Sequence, residues 1–179
     1  PMRPIMPLLS TCLLAACITG PAWPESRDAK LIKQVDERAE QTANLSDQIW
    51  DWAEVGYQEE KSSALLQQAL KVEGFDVKAG VAGIPTAFVA EYGTGGPVIA
   101  ILAEFDALPG INQAATADRE ERDGKGAGHA CGHNLFGAGS TEAAIAIRNW
   151  LEETGTPGRI RLYGTPAEEG GSGKVYMVR

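Results

Sequence analysis

Val98-Ile99-Ala100-Ile101-Leu102, running straight into Ala103-Glu104-Phe105-Asp106-Ala107-Leu108-Pro109, is the stretch on which the fold turns. Five apolar residues in succession break the in-and-out alternation of a half-exposed strand. They read as a central strand buried on both faces. Asp106, just past its end, falls where ligand sites of open α/β sheets usually lie.

Reading outward, β-type runs at Phe75–Val77 and Thr86–Tyr92 precede this strand, with Gly93-Thr94-Gly95-Gly96-Pro97 as the turn before it. Further upstream, Ser26 is a plausible cap. Leu31, Ile32, Val35, Ala39, Ala43 and Ile49 then recur at helical spacing up to Trp50 and Trp52, which reads as one long amphipathic helix. A second helix over Lys61–Glu73 closes at Gly74. Downstream, 112–128 turns polar, with Asp118-Arg119-Glu120-Glu121-Arg122-Asp123 at its middle, and reads as a solvated loop. An Ala-rich helix over Asn134–Glu153 and a strand over Arg159–Tyr163 follow, the strand feeding Pro166-Ala167-Glu168-Glu169. Helix and strand alternate as in an α/β layered domain. The last residues, Val175-Tyr176-Met177-Val178-Arg179, carry no stop signal and the first is Pro1, so the chain reads as part of a longer one.

With 179 residues and 44% hydrophobic content, one domain or a large piece of one is expected. A net charge of −8, from 24 acidic and 16 basic residues with no basic run, argues against a nucleic-acid partner. Residues 1–22 read as a secretory signal: Arg3, the apolar run Leu8–Ile18, then Pro21 and Pro24. The run is too short for a membrane span, which needs roughly 20 apolar residues. Leu14-Ala15-Ala16-Cys17 resembles a bacterial lipobox, so the expected product is either a lipoprotein cleaved before Cys17 and anchored there, or a soluble periplasmic protein cut near Ala22. Cys12 and Cys17 fall in this leader, which leaves Cys131 without a disulfide partner in the core.

Gly128-His129-Ala130-Cys131-Gly132-His133 gives Cys131 an explanation. A thiolate and an imidazole separated by one Gly can converge on one transition-metal ion, and an open catalytic site needs about three protein ligands plus water. Taken alone, Cys-x-His is more often a buried Cys beside a surface His. In Pro166-Ala167-Glu168-Glu169-Gly170-Gly171, one acid can bind metal while its neighbour takes a proton from water, although a lone Glu-Glu pair is usually solvated. Asp106 could hold a ligand His in place, or could simply cap the turn before Pro109. Gly170-Gly171-Ser172-Gly173-Lys174 fails as a phosphate loop because Glu168 stands where a Gly is needed and Val175 follows Lys174.

Taken in order, Glu-Phe-Asp-Ala-Leu-Pro-Gly, Gly-His-Ala-Cys-Gly-His-Asn and Pro-Ala-Glu-Glu-Gly-Gly-Ser-Gly-Lys resemble the aminoacylase and carboxypeptidase G metallopeptidase family. The likeness is closest to its amidohydrolase branch, and within that to the p-aminobenzoyl-glutamate hydrolase type, over about Trp50 to Arg179. It implies an α/β catalytic domain of zinc-peptidase type, of which 27–179 is the N-terminal part. The family's inserted α+β dimerisation domain and further His ligands would lie beyond Arg179, and this piece alone would be inactive. It implies Cys131, His133 and Glu169 as metal ligands, Glu168 as the catalytic residue and Asp106 as the supporting Asp. Asn134 stands where Asp is commoner, and His129 inherits no ligand role. Two divalent ions, zinc or manganese, would serve hydrolysis of an amide joining an acyl or aroyl group to an amino acid, in a homo-oligomer. The alternatives are a dipeptidase or carboxypeptidase of the same family, or a non-catalytic exported protein that binds metal or peptide.

Overall fold

The computed structural model describes residues 26–122 and 124–179. The leader expected over 1–22, and with it the expected cleavage before Cys17 and lipid anchor, falls outside these residues. Ser26 caps the first helix, accepting the Ala29 N–H, so that α1 runs Arg27–Glu37 and α2 Ala39–Trp52. The single helix read from periodicity is therefore two. The break falls on Arg38, whose guanidinium reaches both oxygens of Glu142 at 3.0 and 2.9 Å and Glu73 at 2.9 Å. Helical spacing cannot register a bend set by partners 35 and 104 residues away.

The helix α3 (Glu60–Val72) leads into strands β1 (Asp76–Ala79), β2 (Phe88–Thr94) and β3 (Val98–Ala103). A short pair, β4 (Leu108–Pro109) and β5 (Ala127–Gly128), pinches the base of the polar loop. Then come α4 (His133–Thr154), β6 (Gly158–Gly164), and two short helices, α5 (Glu168–Gly171) and α6 (Gly173–Met177). The main sheet is mixed, in the order β1-β2-β6-β3, with β6 antiparallel to β2 and parallel to β3. No helix of the described residues is long and apolar enough to cross a membrane.

The core lies between one sheet face and the helices. Leu66 and Leu70 of α3, Ala144 and Ile145 of α4, and Ile49 of α2 meet Phe88, Ile160, Leu162 and Phe105. Each of the larger side chains contributes roughly 1.5–3 kcal/mol by leaving water, and Phe88 stacks on Phe105 at 6.1 Å. The reading of β3 as a central strand is corrected: it is the edge of the described sheet, with Ile99 54% and Leu102 44% exposed. Ala103 and Ile101 meet the core, but among the described residues no strand pairs along its outer side. Composition reports what a strand is suited to border, not which neighbours it has.

One topological consequence places the site. Because β3 and β6 are parallel with Ala103 opposite Gly164, both strands deliver their following acids to the same edge of the sheet. The crossover between them runs through α4, so the start of that helix lies at that edge too.

Candidate metal centre

Asp106 is the joint of the site. It is 1% exposed, and its Oδ1 lies 2.9 Å from Nδ1 of His133, the first residue of α4, while its Oδ2 accepts the backbone N–H of Glu169 at 2.9 Å. One carboxylate thus ties the loop carrying Cys131 and His133 to the turn carrying Glu168 and Glu169. Burial disfavours its charged form, but the hydrogen bonds from His133 and Glu169 outweigh this and hold its pKa below the ordinary carboxylate value.

His133 is buried, and its other nitrogen, Nε2, lies 2.9 Å from Glu104 Oε2 and 3.8 Å from Glu168 Oε2. Its pKa is raised, first by the Asp106 hydrogen bond, against burial, and then by the charges of Asp106, Glu104 and Glu169. Gly132 precedes it at φ 84°, a left-handed conformation that a side chain would strain, and so turns the loop sharply into α4. Cys131 is exposed and its thiol pKa is raised, first by the negative charge of Glu169, then by desolvation, a hydrogen bond to Glu169, and the charges of Glu168 and Glu104.

Donor atoms of Cys131, His133 and Glu169 all lie within 4.8 Å of one another, and so do those of Glu104, His133 and Glu168. Two ligands of one ion at about 2.0–2.3 Å each stand at most about 4.6 Å apart. The spacing is thus near closure on an ion. Glu169 Oε1 is buried with no hydrogen-bond partner among the described residues, which fits a donor awaiting a cation. A thiol, an imidazole and carboxylates form the mixed soft and hard set that a borderline divalent ion accepts. The side chain of Glu168 is 43% exposed, against 16% for Glu169, so the two adjacent acids do face different surroundings.

The structure therefore brings Cys131, His133, Glu168, Glu169 and Asp106 to one place. His129 stands apart: its ring donates to Ile49 O at 3.1 Å, burial pushes its pKa down, and it joins neither donor group. A cavity of about 350 Å³ opens beside the donors, bordered by Tyr57, Asp106, Ala167, Glu169 and Gly171. Another, of about 400 Å³, lies under the 110–126 loop and is lined by none of them. Glu104 was missed from the sequence, although its spacing of two from Asp106 turns both side chains to one side of an extended segment. Its other oxygen pairs with Lys174, which gives that Lys an ion-pair role in place of a phosphate loop.

Residues 100–179 match the profile of peptidase family M20/M25/M40. Over 137 residues, 76% of the chain and 28% of the relative, the sequence is 48% identical to a subunit of the p-aminobenzoyl-glutamate hydrolase of Escherichia coli K12. Over 175 residues, 88% of the chain, it is 32% identical to mouse Xaa-Arg dipeptidase, of which it covers 37%. A Bacillus subtilis dinuclear metal-binding peptidase from the M20 family superposes with a TM-score of 0.61 at 27% identity, over 73% of this chain and 35% of that one. The chain spans 28–37% of the length of these two curated relatives.

Proposed function

Because the chain belongs to peptidase family M20/M25/M40, we propose that the whole protein is a metal-dependent amidohydrolase. It cleaves the amide between an acyl or aroyl group and an amino acid, in substrates of the N-acyl amino acid or p-aminobenzoyl-glutamate type. The observation that supports this most is the convergence of Cys131, His133 and Glu169 within 4.8 Å, with Glu168 at the open side of the group.

Cys131, His133 and Glu169 would hold a divalent ion, and Glu104 and Glu168 border the space for a second. When bound, the metal polarises the amide carbonyl and acidifies water. Glu168, exposed at the mouth, takes a proton from the attacking water and returns it to the departing amine. Asp106 fixes the orientation of the His133 ring through Nδ1, leaving Nε2 as the ligand atom. A thiolate ligand favours zinc over manganese on grounds of softness.

The E. coli relative is one subunit of a hydrolase, which supports an oligomeric assembly for this protein as well. We place the protein in the periplasm or on a membrane through Cys17, on the strength of the leader pattern in residues 1–22. The likeness to mouse Xaa-Arg dipeptidase favours a second reading, dipeptide hydrolysis at the same centre.

The test uses the whole protein, stripped with chelator and reloaded separately with zinc and with manganese. N-acyl amino acids, p-aminobenzoyl-glutamate and dipeptides are then compared as substrates. Preference for aroyl or acyl amides supports the first reading and preference for dipeptides the second. Metal bound without cleavage of any of them would leave only a binding protein.

A further inference from the structure

Glu59 is fully buried, although the run Gln58-Glu59-Glu60-Lys61 reads as a solvated helix start. A carboxylate there is costly, because among the described residues only backbone and hydroxyl hydrogen bonds oppose its desolvation. Its two oxygens are used separately. Oε2 accepts the Thr86 hydroxyl at 3.0 Å, and Oε1 accepts the Ala167 N–H at 2.8 Å, across 108 residues of sequence.

Ala167 sits at φ 57°, ψ 43°, a left-handed conformation that a non-glycine residue keeps only when its surroundings hold it there. It immediately precedes Glu168 and Glu169. Gly56, in the same loop as Glu59, packs so closely that a Cβ there would stand 3.0 Å from both the Cα and the Cβ of Ala167. The Glu168–Glu169 turn therefore hangs between two carboxylates: Glu59 on the Ala167 N–H and Asp106 on the Glu169 N–H. Asp106 also touches His133, whereas Glu59 contacts none of the clustered donors and reaches the site only through the Ala167 peptide.

We propose that Glu59 is a positioning residue for the Glu168–Glu169 pair, holding the Ala167 peptide in the turn from which both carboxylates project towards Cys131 and His133. This rests on the metal-dependent hydrolase reading above. Reach, and not charge, is what the role requires. A Gln at 59 can still accept from Ala167 N–H and donate to the Thr86 hydroxyl, whereas an Asp keeps the charge but falls one methylene short.

The experiment compares the whole wild-type protein with Glu59→Gln, Glu59→Asp, Glu59→Ala and a core control on the helix that follows, Leu70→Ala. Each is measured for kcat and KM, for melting temperature, and for the thiolate-to-metal absorption band after loading with cobalt(II) alone. Glu59→Ala and Glu59→Asp should lose about 100-fold in kcat, the scale for a catalytic group about 1 Å out of place. Their KM should stay within about threefold of wild type and the cobalt–thiolate band should persist, since Cys131 and His133 are held by α4 and Asp106. Glu59→Gln should stay within about threefold of wild-type kcat. Leu70→Ala should lower the melting temperature without the kcat loss. If Glu59→Ala does not fold, the contrast between Gln and Asp decides. Glu59→Asp matching or exceeding Glu59→Gln in kcat, or Glu59→Ala matching wild type, refutes the positioning role and leaves the metal centre standing. A wild-type protein with neither cobalt–thiolate band nor hydrolysis sinks the hydrolase reading, and this inference with it.

Discussion

Cys131 and His133 leave a Gly-rich turn and enter α4, a helix of 22 residues packed on the sheet, whereas Glu168 and Glu169 ride on α5, which has only four. The first arm inherits its position from regular structure. Repeated backbone hydrogen bonds and a buried apolar face hold α4, and His133 needs one further anchor, Asp106. The second arm is bracketed by Ala167 and Ser172, both non-glycine residues in the left-handed region at φ 57° and 53°. It is held by contacts from remote segments: Glu59 and Asp106 on its backbone N–H groups, and the Tyr57 hydroxyl donating to Gly171 O. Gly171 has no room for a side chain, since a Cβ would run into the Tyr57 ring. A pair of adjacent acids can therefore sit on irregular backbone only where the surrounding fold determines that backbone at several points.

The largest expected effect separates the arms by function. Glu168→Gln should lower kcat by about 100- to 10,000-fold, the contribution of a positioned general base, with metal content by elemental analysis unchanged. Wild-type kcat in this variant would remove Glu168 from the chemistry. Cys131→Ala should act on the other arm, weakening metal affinity by about 100-fold or more, beyond the loss expected for a supporting residue. Competition with a chelating dye reads this directly, and unchanged affinity would exclude the thiol as a ligand.

Asp106→Asn strikes the joint between the arms. It should weaken metal affinity by about 10- to 100-fold and lower kcat as well, because the His133 ring and the Glu169 peptide both lose a carboxylate acceptor. A loss confined to metal affinity would show that Asp106 serves the first arm alone. The smallest effect concerns strain. Ser172→Gly removes a left-handed non-glycine residue and should raise stability by about 0.5–1 kcal/mol in denaturant unfolding. No gain would mean that the second arm is less strained than its dihedral angles imply.

Much of this was legible in the residues themselves. Asp106, Cys131, His133, Glu168 and Glu169 stand out because thiol, imidazole and carboxylates fall beside apolar or Gly-rich segments, where a strand or helix end is expected. Glu54 and Glu59 do not stand out. Glu54 caps α3, its carboxylate accepting the Ser62 N–H at 2.8 Å, yet it is a lone acid with no partner in its own stretch; Glu59 is sealed inside, yet it lies in the polar run Gln58-Glu59-Glu60-Lys61 that looks solvated. A charge is read as exposed by default, and only packing can bury one.

The amino-acid sequence by itself determined the alternation of helix and strand, the acidic character of the chain and the donor chemistry of the site. These follow from short-range causes: apolar periodicity, turn residues and the side chains present. Tertiary structure alone decided that β3 and β6 run parallel, so that acids 63 residues apart meet at one edge, that β3 borders the described sheet, and that Arg38 breaks the first helix. It also decided that Ala167 is held left-handed by Glu59. Each of these depends on contacts between residues far apart in the chain, whose pairing no local spacing encodes.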